Sequence, residues 1–561
     1  MKKHPRDSRN RQSTLLEKRG WLFALVITAI GFLLRLPGIF EWWLNPDEGI
    51  YLSMLTWKNT ARFWAEMAGN AHPPLYYVVT RVLGLLTKDF VAIRSLSLLF
   101  GSAAIYAAWL AGREIASSER ARSVTGLLSA LLVAVSPGAI VMSQLIRPYM
   151  MQLTFLLLAL YQLLRFRRER HTSNLIWYCV LLSLALLTHY SSFLAFGVFG
   201  ILILSDFITG KFGIRDIPRL IAAHVAPVLI CVGLYIFHLR PHLIDSALAA
   251  EAFDGWLAPL MIHSIGDVWA RLLGFMGYLL GAGLGGPAAL MWLASVVLAT
   301  KRRSWSLLIL NLAAFGIAVV AASLGQYPFG ACRHSTWLIS LFVIPLAWTL
   351  AQSLTSTYRA KTIVVALIAL LALAGEPVGR LVGTTRTHTR PLNEQVLKRS
   401  DMARIRPVLT GANGPGVVLM SMQCYYLLLP FYVDEREAAE PSSDGSFFLF
   451  QWASRDVIVV RSWGFSARPD DFGKPNHLYT FVKNVDRLMP QLELGKQHDV
   501  LMLFGGWSHE TSQLLLRADQ SLPPDTRLIT SHNHVPGLTA LVMDIARYRL
   551  IMREALKSRY H

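Results

Sequence analysis

The chain has 561 residues, of which 53% are hydrophobic and only 16% are charged, whereas soluble proteins average about 25% charged residues. This composition excludes an ordinary soluble enzyme and predicts a many-pass membrane protein. The formal net charge of +19 does not indicate a nucleic-acid partner. The basic residues cluster in short loops between apolar runs, which is typical of the cytoplasmic loops of membrane proteins.

Apolar runs recur from residue 20 to about 380, and a helix needs roughly 20 apolar residues to cross a bilayer. We expect a cytoplasmic tail over 1–19, a transmembrane domain over 20–380 and a soluble α/β domain over 381–561. Because basic loops mark the cytoplasmic side, an odd number of spans places 381–561 on the opposite face. The pattern predicts eleven spans, near 20–40, 91–112, 123–143, 148–164, 174–189, 190–205, 219–238, 283–300, 306–324, 335–353 and 362–379.

The first outer loop, over 41–90, contains a short apolar segment at 74–87 that follows two prolines. If this segment crossed the bilayer, the basic loops after it would change sides. We therefore expect a helix that lies along the outer surface. The same face then collects the turns at 144–147, 188–190 and 326–334, the loop at 239–282, and everything after about 380.

The C-terminal region alternates strand-like and helical patterns. Buried strands are predicted over 416–421, 456–460 and 499–504, and a final hairpin over 525–544. Helices are predicted between them, over 393–409, 478–492 and 510–518. Such alternation is typical of an α/β sandwich.

Two adjacent carboxylates, Asp47 and Glu48, begin the first outer loop. One interpretation is structural, because Asn45 is a good N-cap, Pro46 suits the first helical position, and acids in the first turn complement the helix dipole. The other is catalytic, with a carboxylate that takes a proton from an acceptor hydroxyl or amine. The pattern leaves both interpretations open.

Further candidate binding residues fall on the same face, and several are basic or aromatic. Each also has a purely structural interpretation, because arginine and tyrosine commonly anchor helices at the level of the lipid headgroups. Their convergence on one face favours transfer from a lipid phosphate, since arginine grips phosphate with forked donors. The candidates are His72, Arg94, Arg147, Tyr149, His189, Tyr190, Arg333 and His334.

The order of these motifs resembles the GT-C glycosyltransferases that use lipid-phosphate sugars. The similar branch holds protein O-mannosyltransferases, lipid A aminoarabinose transferases and lipopolysaccharide galacturonosyltransferases. The resemblance covers 20–200 by motif and 201–380 mainly by span pattern. The matching pieces are Asp47-Glu48, His72-Pro73-Pro74-Leu75, Arg94-Ser95-Leu96-Ser97, Ser136-Pro137, Arg147-Pro148-Tyr149 and Leu187-Thr188-His189-Tyr190.

The resemblance implies an inverting glycosyltransferase of the bacterial inner membrane, with a cytoplasmic N-terminus and a periplasmic C-terminal domain. Asp47 would be the catalytic base and Glu48 its partner. The donor would be a sugar on a polyprenyl phosphate, and membrane lipids would surround it. The acceptor would be lipid A or lipopolysaccharide, another envelope glycan, or a protein. Aminoarabinose transferases carry an acid and a lysine where this chain has Ala71 and His72, which argues against an aminoarabinose donor.

Two other functions stay open at this point. A transporter or flippase for a lipid-linked glycan would also carry charges near the membrane, but transporters favour internal repeats and mid-membrane sites. A non-catalytic assembly subunit of the same fold is disfavoured by the intact Asp47. The acid pair and His72 could hold a divalent cation, although the sequence predicts no cofactor firmly.

Overall fold

The structure is a computed structural model. It describes residues 6–244, 257–355, 397–411, 415–441, 447–460, 499–505 and 509–544, with 547, 550–551 and 554. The described residues form two compact units. The first lies within Met1–Ile39, Trp64–Thr80 and Arg94–Leu392, and the second within Phe40–Phe63, Arg81–Ile93 and Asn393–His561.

Helices dominate the chain up to residue 355. In order they are α1 Arg6–Glu41, α2 Pro46–Thr56, α3 Thr60–Ala68, α4 Leu75–Leu86, α5 Phe90–Ile115, α6 Glu119–Val135, α7 Pro137–Met142, α8 Tyr149–Glu169, α9 Thr172–Leu186, α10 Ser192–Ile208, α11 Ile217–Leu234, α12 Ile265–Leu280, α13 Gly285–Lys301, α14 Trp305–Ser323 and α15 Thr336–Thr355. In the first unit, α8 packs on α9, α6 on α15, and α10 on α14. Their facing sides form one continuous apolar core.

Several of these helices are long and apolar enough to cross a membrane, so the protein is a many-pass membrane protein. Within the described ranges there are six, or seven if the bent pair α12 and α13 counts as one span. The helices α9 and α10 are apolar but have only 15 and 17 residues, fewer than the roughly 20 that a bilayer crossing needs. The predicted span at 362–379 lies outside the described residues. The six are Arg19–Glu41, Phe90–Ile115, Tyr149–Glu169, Ile214–Pro241, Trp305–Ser323 and Arg333–Leu354.

Two details of the predicted spans are wrong. The run at 123–143 is not one helix, because α6 ends at Val135 and Ser136 caps a new helix that begins at Pro137. The stretch at 239–282 is not only a loop, since it contains α12. There Ser264 and Asp267 form a reciprocal capping box, a pairing that is typical of a helix start.

The short segment after the two prolines is helical, as predicted. Its helix, α4, has 12 residues and is therefore about 18 Å long. A bilayer core is roughly 30 Å thick, so α4 is too short to cross it. Its exposed side chains include Val82, Leu85 and Leu86, which gives it an apolar outer face.

A fully buried arginine ties α1 to the break between α6 and α7. The guanidinium of Arg35 donates to the carbonyl oxygens of Val133 and Ala134 at 2.8 Å each, and to Ser143 Oγ at 3.1 Å. The last carbonyls of a helix lack partners within the helix and carry partial negative charge. Arg35 therefore caps the carboxyl end of α6, which explains how the first apolar run tolerates a charge.

The second unit contains a mixed seven-stranded sheet. Its strands are β1 Val417–Ser421, β2 Glu440–Pro441, β3 Phe447–Trp452, β4 Arg455–Val460, β5 Asp499–Gly505, β6 Ile529–Val535 and β7 Leu538–Asp544. The order is β2-β3-β4-β1-β5-β7-β6, with β1 parallel to β4 and β5 and the other pairs antiparallel. The helices are α16 Arg399–Thr410, α17 Met422–Leu428 and α18 His509–Ser521.

These elements confirm the predicted buried strands and the final hairpin, now β1, β4, β5 and β6–β7. The helix predicted over 478–492 lies outside the described residues. The sequence did not predict β3. It pairs with β4 through a two-residue turn in which Ala453 and Ser454 have φ of 51° and 60°. Two-residue hairpin turns usually contain glycine or asparagine, and this turn contains neither.

Candidate functional site

The acid pair lies in the first turn of α2, inside a capping box. The Asn45 side chain accepts a hydrogen bond from the Glu48 backbone N–H at 2.8 Å, and the Glu48 carboxylate accepts one from the Asn45 N–H at 3.2 Å. Glu48 is fully buried, whereas Asp47 is half-buried. The two acids therefore differ in their structural role. The Glu48 carboxylate is part of the capping box at the start of α2, whereas the Asp47 carboxylate is not.

The first unit brings five aromatic side chains into ring contact, which we call the histidine–tyrosine cluster. It consists of His72, Tyr149, His189, Tyr327 and His334. The His189 ring lies 4.9 Å from the rings of both His72 and Tyr149, measured between centroids. The His334 ring lies 5.8 Å from Tyr327 and 6.3 Å from Tyr149. Four of the sequence-predicted residues thus meet in one place.

Backbone and hydroxyl contacts explain how these distant segments converge. The Leu75 N–H, just after the two prolines, donates to the Leu187 carbonyl at 2.9 Å, which joins the segment of His72 to that of His189. Ser97 Oγ donates to the Arg147 carbonyl at 3.3 Å, next to the start of α8. His334 lies in a short 3-10 turn, Arg333–Ser335, before α15.

Hydrogen bonds behind the cluster orient His189. Its Nδ1 lies 2.9 Å from Ser191 Oγ. Gln152 Nε2 in α8 donates to Ser191 Oγ at 2.7 Å and to Ser192 Oγ at 2.9 Å. This chain of polar groups limits the rotation of the imidazole, so the ring is held in place before any ligand arrives.

The electrostatics of the cluster favour neutral histidines. Burial is the main cause that lowers the pKa of His189 to about 3, and the charges of Arg147 and Arg333 add to it. Burial also lowers the pKa of His72 well below its ordinary value, with further contributions from His189 and both arginines. At neutral pH these two imidazoles are uncharged, and the fixed positive charge beside them comes from the arginines. Such a site suits an anion with hydrogen-bonding oxygens, such as a phosphate.

Tyr190, Arg94 and the acid pair are not part of the cluster. The Tyr190 hydroxyl hydrogen-bonds His238 Nδ1, and its ring contacts Phe193. Arg94 is fully buried and donates to the Ile39 carbonyl at 3.2 Å. Asp47 and Glu48 belong to the second compact unit, whereas the cluster belongs to the first.

A metal site is not evident in the part of the chain that the structure describes. No three His, Cys, Asp or Glu side chains there are arranged to hold an ion. The three histidines of the cluster contact one another ring to ring, with centroids 4.9 Å apart for His72 and His189 and 6.5 Å apart for His189 and His334.

Solved structures share this fold. ArnT from Cupriavidus metallidurans in the apo state matches with a TM-score of 0.51 and 15% identity, over 94% of this chain and 98% of that one. ArnT from the same organism bound to undecaprenyl phosphate gives 0.51 and 16%, over 93% and 98%. The archaeal oligosaccharyltransferase AglB from Archaeoglobus fulgidus, in complex with an inhibitory peptide and a dolichol-phosphate, gives 0.50 and 12%, over 85% and 69%. Identities this low establish the fold alone.

A family match adds to the fold. Residues 71–235 match the family described as dolichyl-phosphate-mannose-protein mannosyltransferase. The matched segment contains His72, Arg147 and His189. The matched segment and the fold are thus similar to those of GT-C glycosyltransferases. The resemblance and the enzyme class predicted from the sequence are thereby confirmed. Among curated proteins, none matches the chain.

Sequence reasoning missed one member of the cluster, Tyr327, and one residue behind it, Ser191. Tyr327 precedes Pro328 in the predicted outer turn at 326–334, so its position was a usable signal. Burial raises the pKa of its hydroxyl well above the ordinary value, which keeps it protonated and able to donate. Ser191 carried no sequence signal, because its role depends on Gln152 from another helix.

Proposed function

We propose that this protein transfers a sugar from a polyprenyl-phosphate donor to an acceptor in the cell envelope, with inversion at the sugar carbon. The carrying observation is the histidine–tyrosine cluster, where two arginines supply fixed positive charge next to neutral imidazoles. This charge pattern fits a phosphate. The ArnT structure with bound undecaprenyl phosphate supports the same donor class by analogy.

The proposed chemistry uses the chain's own groups. The Asp47 carboxylate takes the proton of an acceptor hydroxyl or amine, and the freed electron pair attacks the anomeric carbon of the sugar. The bond from that carbon to the phosphate oxygen breaks, and polyprenyl monophosphate leaves. Arg147 and Arg333 stabilise the negative charge that develops on the leaving phosphate. Glu48 keeps the start of α2 in shape through its capping box.

The acceptor is proposed at the level of class: lipid A or lipopolysaccharide, another envelope glycan, or a protein. We place the reaction at the outer face of the bacterial inner membrane. In this orientation residues 1–19 are cytoplasmic, 20–380 form the transmembrane domain, and 381–561 are periplasmic. The basic loops that follow the spans support this arrangement.

The two neighbouring acids provide a matched test. Asp47→Asn keeps the shape of the side chain but removes the base, and losing a general base costs ~10²–10⁴-fold in rate. Glu48→Gln keeps a side chain that suits the third position of a capping box, so we expect activity within about threefold of wild type. Transfer would be measured with envelope acceptor from a deletion strain. Near-normal activity of Asp47→Asn in correctly inserted protein would refute the assignment.

A further inference from the structure

Within the second compact unit, one buried arginine contacts the carboxyl end of α2. Arg436 is fully buried in a 3-10 turn, Glu435–Ala438. Its guanidinium donates to Ser53 Oγ at 2.6 Å, to the Ser53 carbonyl at 2.7 Å and to Thr56 Oγ1 at 2.7 Å. It also lies 3.8 Å above the ring of Trp57. Arg436 is 383 residues from Ser53 in sequence.

These contacts suit the end of a helix. The last carbonyls of α2 have no partners within the helix, and that end carries partial negative charge. A guanidinium placed there satisfies a carbonyl and complements the dipole. Burying a charge is costly. The stack on Trp57, the three hydrogen bonds to α2 and two further bonds, to the Val433 carbonyl and the Tyr425 hydroxyl, offset that cost.

Neighbouring contacts join the same turn to the first outer loop. The Lys58 N–H, just past α2, donates to Glu437 Oε1 at 3.0 Å. Asp434 forms an ion pair with Lys88, which follows α4. The segment 434–437 therefore contacts the chain beyond the ends of two helices of this loop. Among these contacts, the bonds of Arg436 are the ones made directly to α2.

We propose that Arg436 is a positioning residue that sets the orientation of α2 and thereby of the Asp47 carboxylate. This inference rests on the proposed function, in which Asp47 is the base. The helix has 11 residues and is about 16 Å long, so it moves as a rigid rod. Its start is closed by the Asn45 capping box and its end by Arg436. Loosening one end tilts the other, and a misplacement of about 1 Å can cost ~10²-fold in rate.

The test compares three variants of the full-length protein in lipid vesicles. Arg436→Met removes the charge and the hydrogen bonds of the guanidinium, and Arg436→Lys keeps the charge without the fork. Thr56→Val removes the bond from Arg436 and also the bond that Thr56 Oγ1 donates to the Leu52 carbonyl. We expect kcat to fall about 10- to 100-fold, about 3- to 10-fold and about 2- to 5-fold, respectively, on the scale that misplacement allows. The KM for the polyprenyl-phosphate sugar should change less than about twofold. Arg404→Met is the control, since the Arg404 side chain is 72% exposed on α16.

A double variant distinguishes positioning from general destabilisation. If Arg436 acts through Asp47, Arg436→Met should not lower the residual rate of Asp47→Asn any further. An equal loss in both backgrounds would overturn the proposal, as would wild-type kcat in folded Arg436→Lys and Thr56→Val. Full activity of Asp47→Asn alone would instead refute the proposed function, and the positioning role with it.

Discussion

Replacing Arg147 with lysine should weaken donor binding while the fold stays intact. Arg147 is 4% exposed, and its backbone carbonyl, not its side chain, accepts the bond from Ser97. A lysine therefore keeps this tie, and it also keeps the positive charge beside the histidines. What it loses is the forked, two-point grip on a phosphate. The same reasoning applies to Arg333→Lys.

The magnitude follows from the number of bonds lost. A hydrogen bond to a charged group contributes ~1.5–3 kcal/mol, and each 1.4 kcal/mol is tenfold in affinity. Losing one bond to the phosphate should therefore raise the KM for the donor roughly 10- to 100-fold in either single variant. Because both arginines would contact one phosphate, the double variant should deviate from additivity by ~0.5 kcal/mol or more.

The assay measures transfer against donor concentration, with purified protein in lipid vesicles. Arg219→Lys, an exposed basic residue near the start of α11, serves as the matched control and should behave as wild type. If both Arg147→Lys and Arg333→Lys follow the wild-type titration, the arginines only anchor their helices. The hypothesis that they bind the donor phosphate would then be wrong.

Two further predictions concern stability. A methyl group at Gly49 would overlap the Tyr426 carbonyl oxygen, so Gly49→Ala should destabilise the protein by ~1–3 kcal/mol; Gly200→Ala, in open space on α10, should not. An unchanged melting temperature for Gly49→Ala would contradict this packing. Because the pKa of His189 falls from 6.5 to about 3 on folding, the unfolded chain binds more protons between those values, and stability is lost as pH falls below about 6.5. Acidification to pH 5 should cost about 2 kcal/mol, and His189→Asn should flatten this loss; equal slopes in melting experiments would refute it.

The sequence predicted elements whose signals are local. The buried strands of the C-terminal region are short apolar runs between turn residues, and the structure has them. The end of α6 is marked in the sequence by Ser136-Pro137, which is a typical helix N-cap and first residue. The continuous apolar run over 123–143 nevertheless favoured a single helix. The β3–β4 turn had no such signal, because Ala453 and Ser454 take positive φ only under the demands of strand pairing.

The histidine–tyrosine cluster shows where local reasoning stops. His72, His189 and His334 stood out because each lies beside an apolar run, next to a proline, tyrosine or arginine. Which of these segments meet depends on tertiary contacts such as Leu75 to Leu187, and no spacing rule predicts them. The contact of Arg436 with α2 is a stronger case, since it joins residues at opposite ends of the chain.

The central claim is that a lipid-phosphate sugar is the donor, and its most direct test uses purified full-length protein in vesicles. The vesicles would contain radiolabelled polyprenyl-phosphate hexoses or pentoses, with acceptor from the envelope of a deletion strain. We expect label to enter the acceptor from at least one of these donors, with one polyprenyl monophosphate released per sugar, and not with Asp47→Asn. Transfer from a nucleotide sugar alone, in the absence of any polyprenyl phosphate, would contradict the account.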